Sequence, residues 1–549
     1  MRNRPKLLTD ALDPELGVNP PVIVLLLCLL TLFFVLLFPG HPDFDFAKQF
    51  LRIPIELPVM VILLIAVKQR FVAFLCVILV AGLSLLLLLR MADIGSYFAF
   101  NRRFSPLLEL HLLADGWNLA STSIGPAQAA AVSLLALASL VLLTWWLYRC
   151  LHNIANINGS TRKRVLILAA GAALIGLAGL ASEKHYGYDG PLQAKIVPEY
   201  YSRIEAIAKS IKDQQQFTID LQSDSVLDTQ QPAFSALSGK DVLLIFVESY
   251  GRGYIDAERF STHAASRLNA VQNLISNAGL SARSGWLTSP IRGGRSWLAH
   301  STLQSGLKID NQARYDRLVT SDRTPLSTLF THAGWRSVGI MPAIQQAWPE
   351  GSWYGYQDIH TSTDLGYAGE RFGYVTMPDQ YTLHHFEHHI RHQTDTPVMA
   401  TMALLSTHAP WTPLPLKLDW NMINDGRGYD GSNRYGEPIS WKFRSKVQDM
   451  YIQSLDYTLD VLGEYAALYA DDALIIILGD HQPAPIINGW GKSGDVPVHI
   501  ISRDPQILDR LAPRNWSEGM LQQENLQSIP MQAFRKILST IFESPTAGD

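Results

Sequence analysis

Five polar residues from Glu248 onward stand where chemistry is expected, each close behind or between apolar runs. Val242-Leu243-Leu244-Ile245-Phe246-Val247 leads into Glu248-Ser249-Tyr250-Gly251, and Ala473-Leu474-Ile475-Ile476-Ile477-Leu478 leads into Gly479-Asp480-His481-Gln482-Pro483. A carboxylate thus ends one run, and a carboxylate beside an imidazole ends the other. Two hard oxygen ligands with one imidazole suit Zn²⁺ or Mn²⁺, with Mg²⁺ also compatible, and the lack of a nearby cysteine removes a thiolate site. Either turn alone is an ordinary loop; it is their coincidence that makes a metal set of Glu248, Asp480 and His481. A nucleophile candidate lies in Arg292-Gly293-Gly294-Arg295-Ser296-Trp297-Leu298-Ala299-His300. The two glycines permit a tight turn, and the apolar spacing after Ser296 is helical. The hydroxyl therefore sits at a helix N-terminus, where free N–H groups and the dipole favour an anionic oxygen or a phosphate. By itself Ser296 would read as a helix cap; beside a metal set it reads as a fourth ligand and an activated alcohol. Ser406-Thr407-His408 follows a third run and brings His408 to the same edge, to hold a phosphoryl oxygen or protonate a leaving group, with a core histidine as the rival reading.

Positioning these residues requires a sheet whose strands end together. From Asp241 onward, strand candidates Val242 to Val247, Ser337 to Met341, Val398 to Leu405, Ala473 to Leu478 and Val496 to Ile501 alternate with amphipathic helical stretches. This pattern predicts an α/β domain, a largely parallel sheet sandwiched by helices, and the continuous apolar runs suit strands covered on both faces. Ligands gather beyond the carboxyl ends of such strands, where the candidate residues lie.

Upstream, five apolar runs (Pro21 to Pro39, Ile53 to Val67, Phe71 to Leu89, Ala129 to Leu147 and Val165 to Ala181) approach the ~17–25 residues of a spanning helix. The second is short and contains Glu56. The expected organisation is a five-helix transmembrane domain over 1–182, a polar linker with a helical segment over 183–240, and a soluble domain over 241–549. Basic residues at Arg2, Arg4 and Lys6, at Lys68 and Arg70, and at Arg149, Arg162, Lys163 and Arg164 fall on one side if the N-terminus is cytoplasmic. Everything after Ser182 then lies on the far side, against the mild counter-signal of Arg102 and Arg103. Cys28, Cys76 and Cys150 all sit in or beside the apolar runs, so the soluble part holds no disulfide. A net charge of −4 without a long basic run points away from nucleic acid as a partner.

A strand ending in Glu, a Gly-x-Ser nucleophile opening a helix, a Ser-x-His after a middle strand and a late Gly-Asp-His together resemble the sulfatase-like branch of the alkaline phosphatase superfamily. With five spans in front, the chain resembles the lipoteichoic acid synthases and the phosphoethanolamine and phosphoglycerol transferases of the bacterial inner membrane. The resemblance covers roughly Lys240 to Phe542. It implies that Glu248, Ser296, Asp480 and His481 hold one divalent metal, that Ser296 forms the covalent phospho-enzyme, and that His408 contacts the substrate phosphate. Serine replaces the family's common threonine. The aromatic segment Trp348-Pro349-Glu350-Gly351-Ser352-Trp353-Tyr354-Gly355-Tyr356 resembles the region that holds the donated head group, and Arg292 or Arg295 offers a donor fork for its phosphate.

The implied reaction takes phosphoglycerol or phosphoethanolamine from a membrane phospholipid and passes it to an extracytoplasmic glycan or glycolipid. The implied location is the inner membrane, multi-pass, with a periplasmic catalytic domain. Two rivals are a sulfatase or phosphodiester hydrolase of the same fold, and a non-catalytic lipid-sensing regulator. The sulfatase motif has only a near miss in Thr288-Ser289-Pro290-Ile291-Arg292, with threonine at the key place. His384, His385, His388, His389 and His392 fall at i, i+4 spacing, and with no carboxylate or cysteine at a strand end beside them they read as a solvent-facing helix outside the site.

Overall fold

A computed structural model describes residues 22–109, 117, 121, 125–186, 192–194, 196–224, 234–372, 375–411, 413–432, 443–491, 493–514, 516–523 and 525–543. The basic residues Arg2, Arg4 and Lys6 lie outside the described residues. Two units divide within one helix: residues 1–97 with 102–211, and residues 98–101 with 212–549.

The first unit is built on helices α1 (Val22–Leu37), α2 (Glu56–Ala66), α3 (Gln69–Phe100), α4 (Pro126–Ala155) and α5 (Gly159–Tyr186). Three stretches among the described residues, Gln69–Phe98, Pro126–Ala155 and Gly159–Ser182, are long and apolar enough to cross a membrane by length and composition. The other two are shorter apolar helices. At 1.5 Å per residue α2 is about half the ~30 Å of a hydrocarbon core. The five expected spans are thus three long helices and two short ones. Leu32, Leu64, Leu147 and Leu151 pack inward, whereas Leu134, Leu135, Ile167 and Leu174 face outward, as lipid-facing positions do. Arg102 and Arg103, the counter-signal to the expected orientation, both have carboxylate partners: Arg102 binds Glu109, and Arg103 lies 3.4 Å from Glu199. Beside them Arg203 meets Asp93 at 2.6 Å and Arg90 meets Glu199 at 2.7 Å, the pairing that buried charge requires.

Helix α6 (Ile196–Gln222) leads into the second unit, a sheet of nine strands. These are β1 (Asp241–Val247), β2 (Ser281–Thr288), β3 (Arg336–Met341), β4 (Asp358–Thr361), β5 (Val398–Leu404), β6 (Ala473–Gly479), β7 (Asp495–Ser502), β8 (Ser517–Glu518) and β9 (Ile529–Pro530). The strand order is β8-β2-β7-β6-β1-β5-β3-β4, with β9 also on β2. From β6 through β1, β5 and β3 to β4 every pairing is parallel; β7 is antiparallel to both neighbours. The expected α/β architecture is the one observed, with all five expected strands in the sheet. Alternate residues of β1 enter separate cores: Leu243, Ile245 and Val247 on one face, Val242, Leu244 and Phe246 on the other. A strand covered on both faces has no reason to alternate apolar with polar, hence its unbroken run.

Strand β2 escaped the hydrophobic pattern because Ser281, Arg283 and Ser284 interrupt its apolar run, and the buried Ser284 is satisfied in place. The Ser284 hydroxyl donates to the Gly519 carbonyl (2.6 Å) and lies 2.7 Å from His499 Nδ1 on β7. Further helices that bear on the site are α7 (Ser296–Ser305), α8 (Asp379–Phe386) and α9 (Arg444–Tyr469).

Candidate active site

Strands β1 and β6 are parallel neighbours in register, Val247 beside Gly479, so the residues that follow them emerge together. Gly479 allows the approach: a Cβ there would lie 1.8 Å from the Tyr250 carbonyl oxygen. Gly479→Ala is therefore expected to cost about 1–3 kcal/mol or more through overpacking against backbone. Chemical denaturation measures it, and an unchanged midpoint would mean that the two turns separate freely.

The turn after β1 is strained and tied from three sides. Ser249 adopts φ 58°, uncommon for a residue with a side chain. Its N–H donates to Asp480 Oδ1 (2.8 Å) and its hydroxyl to Glu248 Oε1 (3.0 Å). The Thr407 hydroxyl, beyond the end of β5, donates to the Glu248 carbonyl (2.6 Å), and Tyr451 of α9 donates to the Ser249 carbonyl (2.8 Å). Glu248, Asp480 and His481 thereby bring one ligand atom each within 4.8 Å of one another.

Ser296 reaches this cluster through a run of left-handed residues, Gly293, Gly294 and Arg295 at φ 62°, 56° and 62°. Glycine takes that conformation without steric cost and arginine does not, so the strain is held by the surroundings. The Gly293 N–H donates to the Gln482 carbonyl (3.0 Å), fastening the loop to the Asp480-His481 turn. Ser296 is the first residue of α7 and its hydroxyl does not cap the helix. It donates instead to Glu248 Oε2 (2.7 Å) and lies 3.2 Å from His481 Nε2.

Burial pushes the Asp480 carboxyl up to about 8, with the Glu248 charge adding to the rise. Burial also opposes ionisation of Glu248, but His481 outweighs it and holds that carboxyl well below the usual range. For His481, burial works against the charged ring, yet Asp480 and Glu248 raise it to about 9. Two buried carboxylates thus share one imidazolium and a proton. Asp480 Oδ2 is shielded from solvent and accepts no hydrogen bond among the described residues. An acceptor with nothing to accept from, in a set of two carboxylates, an imidazole and a hydroxyl, fits a divalent cation.

A cavity of about 410 Å³ opens over Ser296. Glu248, Arg295, Ser296, His408 and Asp480 line it, as does Trp348. The His408 Nδ1 lies 2.5 Å from the Ala409 carbonyl, so Nδ1 carries a proton. Two of the expected substrate-binding residues do not line this cavity. Trp353 is outside the lining: its indole donates to the Arg323 carbonyl (3.0 Å) and its ring packs on Tyr354 in the core. Arg292 is outside it too, because the Gly293-Gly294 turn parts it from Arg295; burial lowers its pKa against the pull of Asp495. In the near-miss motif the key residue Thr288 donates to Asp495 Oδ1 (2.8 Å) and is no part of the cavity wall, while its neighbour Ser289 is buried and donates to the Asp480 carbonyl (2.6 Å).

Several lining residues were not singled out from sequence. His300 stands one helical turn after Ser296, a spacing legible in the chain; burial pushes it down to about 4, so it is neutral at pH 7. Glu350, Tyr315, Trp297 and Tyr354 also line the cavity. Glu350 and Tyr354 lay inside the aromatic segment already marked, but Tyr315 comes from a separate short helix, Gln312–Val319, with no local signal.

No family model matches the sequence, and no curated protein matches it. Solved structures do. The chain is similar to the lipoteichoic acid synthase LtaP from Listeria monocytogenes at 11% identity, over 48% of this chain and 66% of that one, with a TM-score of 0.35. It is similar to an alkaline phosphatase superfamily protein from Vibrio parahaemolyticus at 15% identity, over 50% and 62%, with a TM-score of 0.34. The C-terminal periplasmic domain of EcEptC from Escherichia coli, in complex with Zn, matches at 11% identity over 60% and 86%, with a TM-score of 0.38. The chain thus spans just under two thirds of the length of the first two.

Proposed function

We propose that this chain is a metal-dependent transferase that moves a phospholipid head group, by way of a phospho-Ser296 intermediate, to a glycan or glycolipid acceptor outside the cytoplasm. The observation that carries this reading is the Ser296 hydroxyl turned away from its own helix and onto Glu248 and His481. A serine needed only to start a helix has no use for those partners.

Glu248, Asp480, His481 and Ser296 would hold the ion, Zn²⁺ or Mn²⁺ by donor type with Mg²⁺ compatible, and its charge would lower the pKa of the hydroxyl and neutralise phosphoryl oxygens. Glu248 Oε2 takes the hydroxyl proton as Ser296 Oγ bonds to phosphorus and the diacylglycerol oxygen leaves. His408, on the cavity wall and protonated on both ring nitrogens, holds a phosphoryl oxygen through Nε2–H and passes that proton to the leaving oxygen. In the second half the acceptor hydroxyl attacks phosphorus and gives its proton to His408 Nε2, the bond from phosphorus to Ser296 Oγ breaks, and Ser296 recovers its proton from Glu248. Arg295 supplies the positive charge that Arg292 is not placed to supply. The setting is the inner membrane, with the apolar helices beside the lipid donor and the soluble unit in the periplasm.

The cavity favours an ammonium-bearing head group. Tyr315, Trp348 and Tyr354 present aromatic surface, Trp348 and Tyr354 with ring centroids 5.1 Å apart, and Glu350 adds a carboxylate. A ring face with a nearby anion attracts a cation and gives glycerol no equivalent gain. Phosphatidylethanolamine is expected to release diacylglycerol faster than phosphatidylglycerol when each is supplied in liposomes. Glu350→Gln is expected to shrink that preference by about ten-fold, or 1.4 kcal/mol. Equal use of both lipids by the unaltered protein would remove the head-group choice and leave the nucleophile standing.

A further inference from the structure

The histidine run reads in sequence as a solvent-facing helix; His388, His389 and His392 are exposed, and His384 turns inward. Helix α8 continues into a π-helical turn, Glu387–Arg391, a feature frequent at functional sites. Gln380, Thr382, Leu383 and Phe386 are buried, and His384 is only 8% exposed. The rings of His384 and His388 lie tilted at 51° with centroids 4.4 Å apart, and those of His385 and His389 at 44° and 4.8 Å. All four line one cavity of about 1060 Å³, and Asp419 and Asp425 line it as well. Two carboxylates thus share the cavity with the run. His384 Nδ1 is shielded from solvent and has no hydrogen-bond partner among the described residues. His392 is apart from this group: it lies 2.9 Å from Glu387, whose carboxylate is already engaged by Arg391 and Tyr465.

We propose that His384 and His388, flanked by His385 and His389, form a second metal site, selective for a borderline transition-metal ion such as Zn²⁺ or Cu²⁺ and separate from the Glu248-Asp480-His481 cluster. Two imidazoles one turn apart on a rigid element hold such an ion as a chelate, while Mg²⁺ and Ca²⁺ prefer all-oxygen shells. Asp419 and Asp425 supply compensating negative charge at the rim.

The test uses the full chain, free of any affinity tag, in detergent at pH 7.5. After equilibration with ZnCl₂ and removal of unbound ion, elemental analysis is expected to find one more Zn²⁺ per chain in the unaltered protein than in the His384→Ala, His388→Ala double variant. Because His384 is buried, the exposed His388→Ala alone provides a second arm whose fold is not at risk. It is expected to weaken Cu²⁺ binding at this site at least ten-fold and to alter the visible absorption of the bound ion. Equal Zn²⁺ content in all variants, unchanged Cu²⁺ titration in His388→Ala, or equal occupancy by Mg²⁺ would each overturn the proposal. The difference between variants is read without reference to the strand-end cluster, so failure here leaves the transferase reading untouched.

Discussion

Ser296→Ala is expected to cut head-group release from phospholipid by about a thousand-fold or more, as loss of a nucleophile does when the rest of the site stays in place. The hydroxyl makes no cap bond to α7, so its removal costs the helix nothing that a cap would contribute. The main structural loss is the 2.7 Å bond to Glu248, a partner that still accepts from Ser249. Thermal stability should therefore change little while turnover collapses. Ser296→Thr should retain part of the activity, because the alcohol is kept and only a methyl is added. Mass spectrometry of protein quenched during turnover should find a head-group phosphate adduct on the Ser296 peptide of the unaltered protein alone. Undiminished diacylglycerol release by the alanine variant, with metal present, would sink the covalent route.

The second large effect concerns pH and metal together. With a chelator present, the melting temperature is expected to fall by about 5 °C or more between pH 6 and 9.5. The Asp480 pKa is raised in the fold from 3.8 to about 8, so the folded chain holds a proton that the unfolded chain has lost. The stability this contributes is present at low pH and disappears as pH rises through 8. His481, raised from 6.5 to about 9, acts in the same direction: its contribution is complete below 6.5 and lost as pH climbs through 9. Glu248 runs the other way, since a depressed carboxyl loses its contribution as pH falls, and so it acts only on the acid side. His300, lowered by burial, also acts below 6.5. Zn²⁺ should reverse the alkaline loss, most strongly at high pH, where no proton competes for Asp480 and His481. Asp480→Asn should flatten the alkaline slope and abolish most of the rescue. A flat or rising melting temperature across that range in chelator would show that the two carboxylates do not repel as their burial implies.

Much of this site was legible because β1, β5 and β6 are covered on both faces. Such strands must be apolar throughout, and the first polar residues after them mark where the strands stop. What lay beyond reach was anything set by cross-chain pairing. Ser284 and His499 hide β2 by satisfying each other, and Trp348 and Trp353, five residues apart, differ in role only because one rests on the cavity and the other on Arg323. In the histidine run His388, His389 and His392 are exposed as the local pattern implies, but no local pattern announces that His384 is buried or that Asp419 and Asp425, far away in the chain, share its cavity.

By itself the sequence determined the α/β class, the apolar N-terminal helices, and the five residues from which the candidate chemistry is built, since hydrophobic period and strand-end position are local properties. The tertiary structure decided that the Ser296 hydroxyl leaves its helix for Glu248 and His481, that Trp348 faces the cavity while Arg292 and Trp353 do not, and that Glu350 and Tyr315 complete its wall. Those outcomes depend on the parallel register of β1 with β6 and on the left-handed turn at Gly293 to Arg295, where contacts between distant segments outweigh local preference.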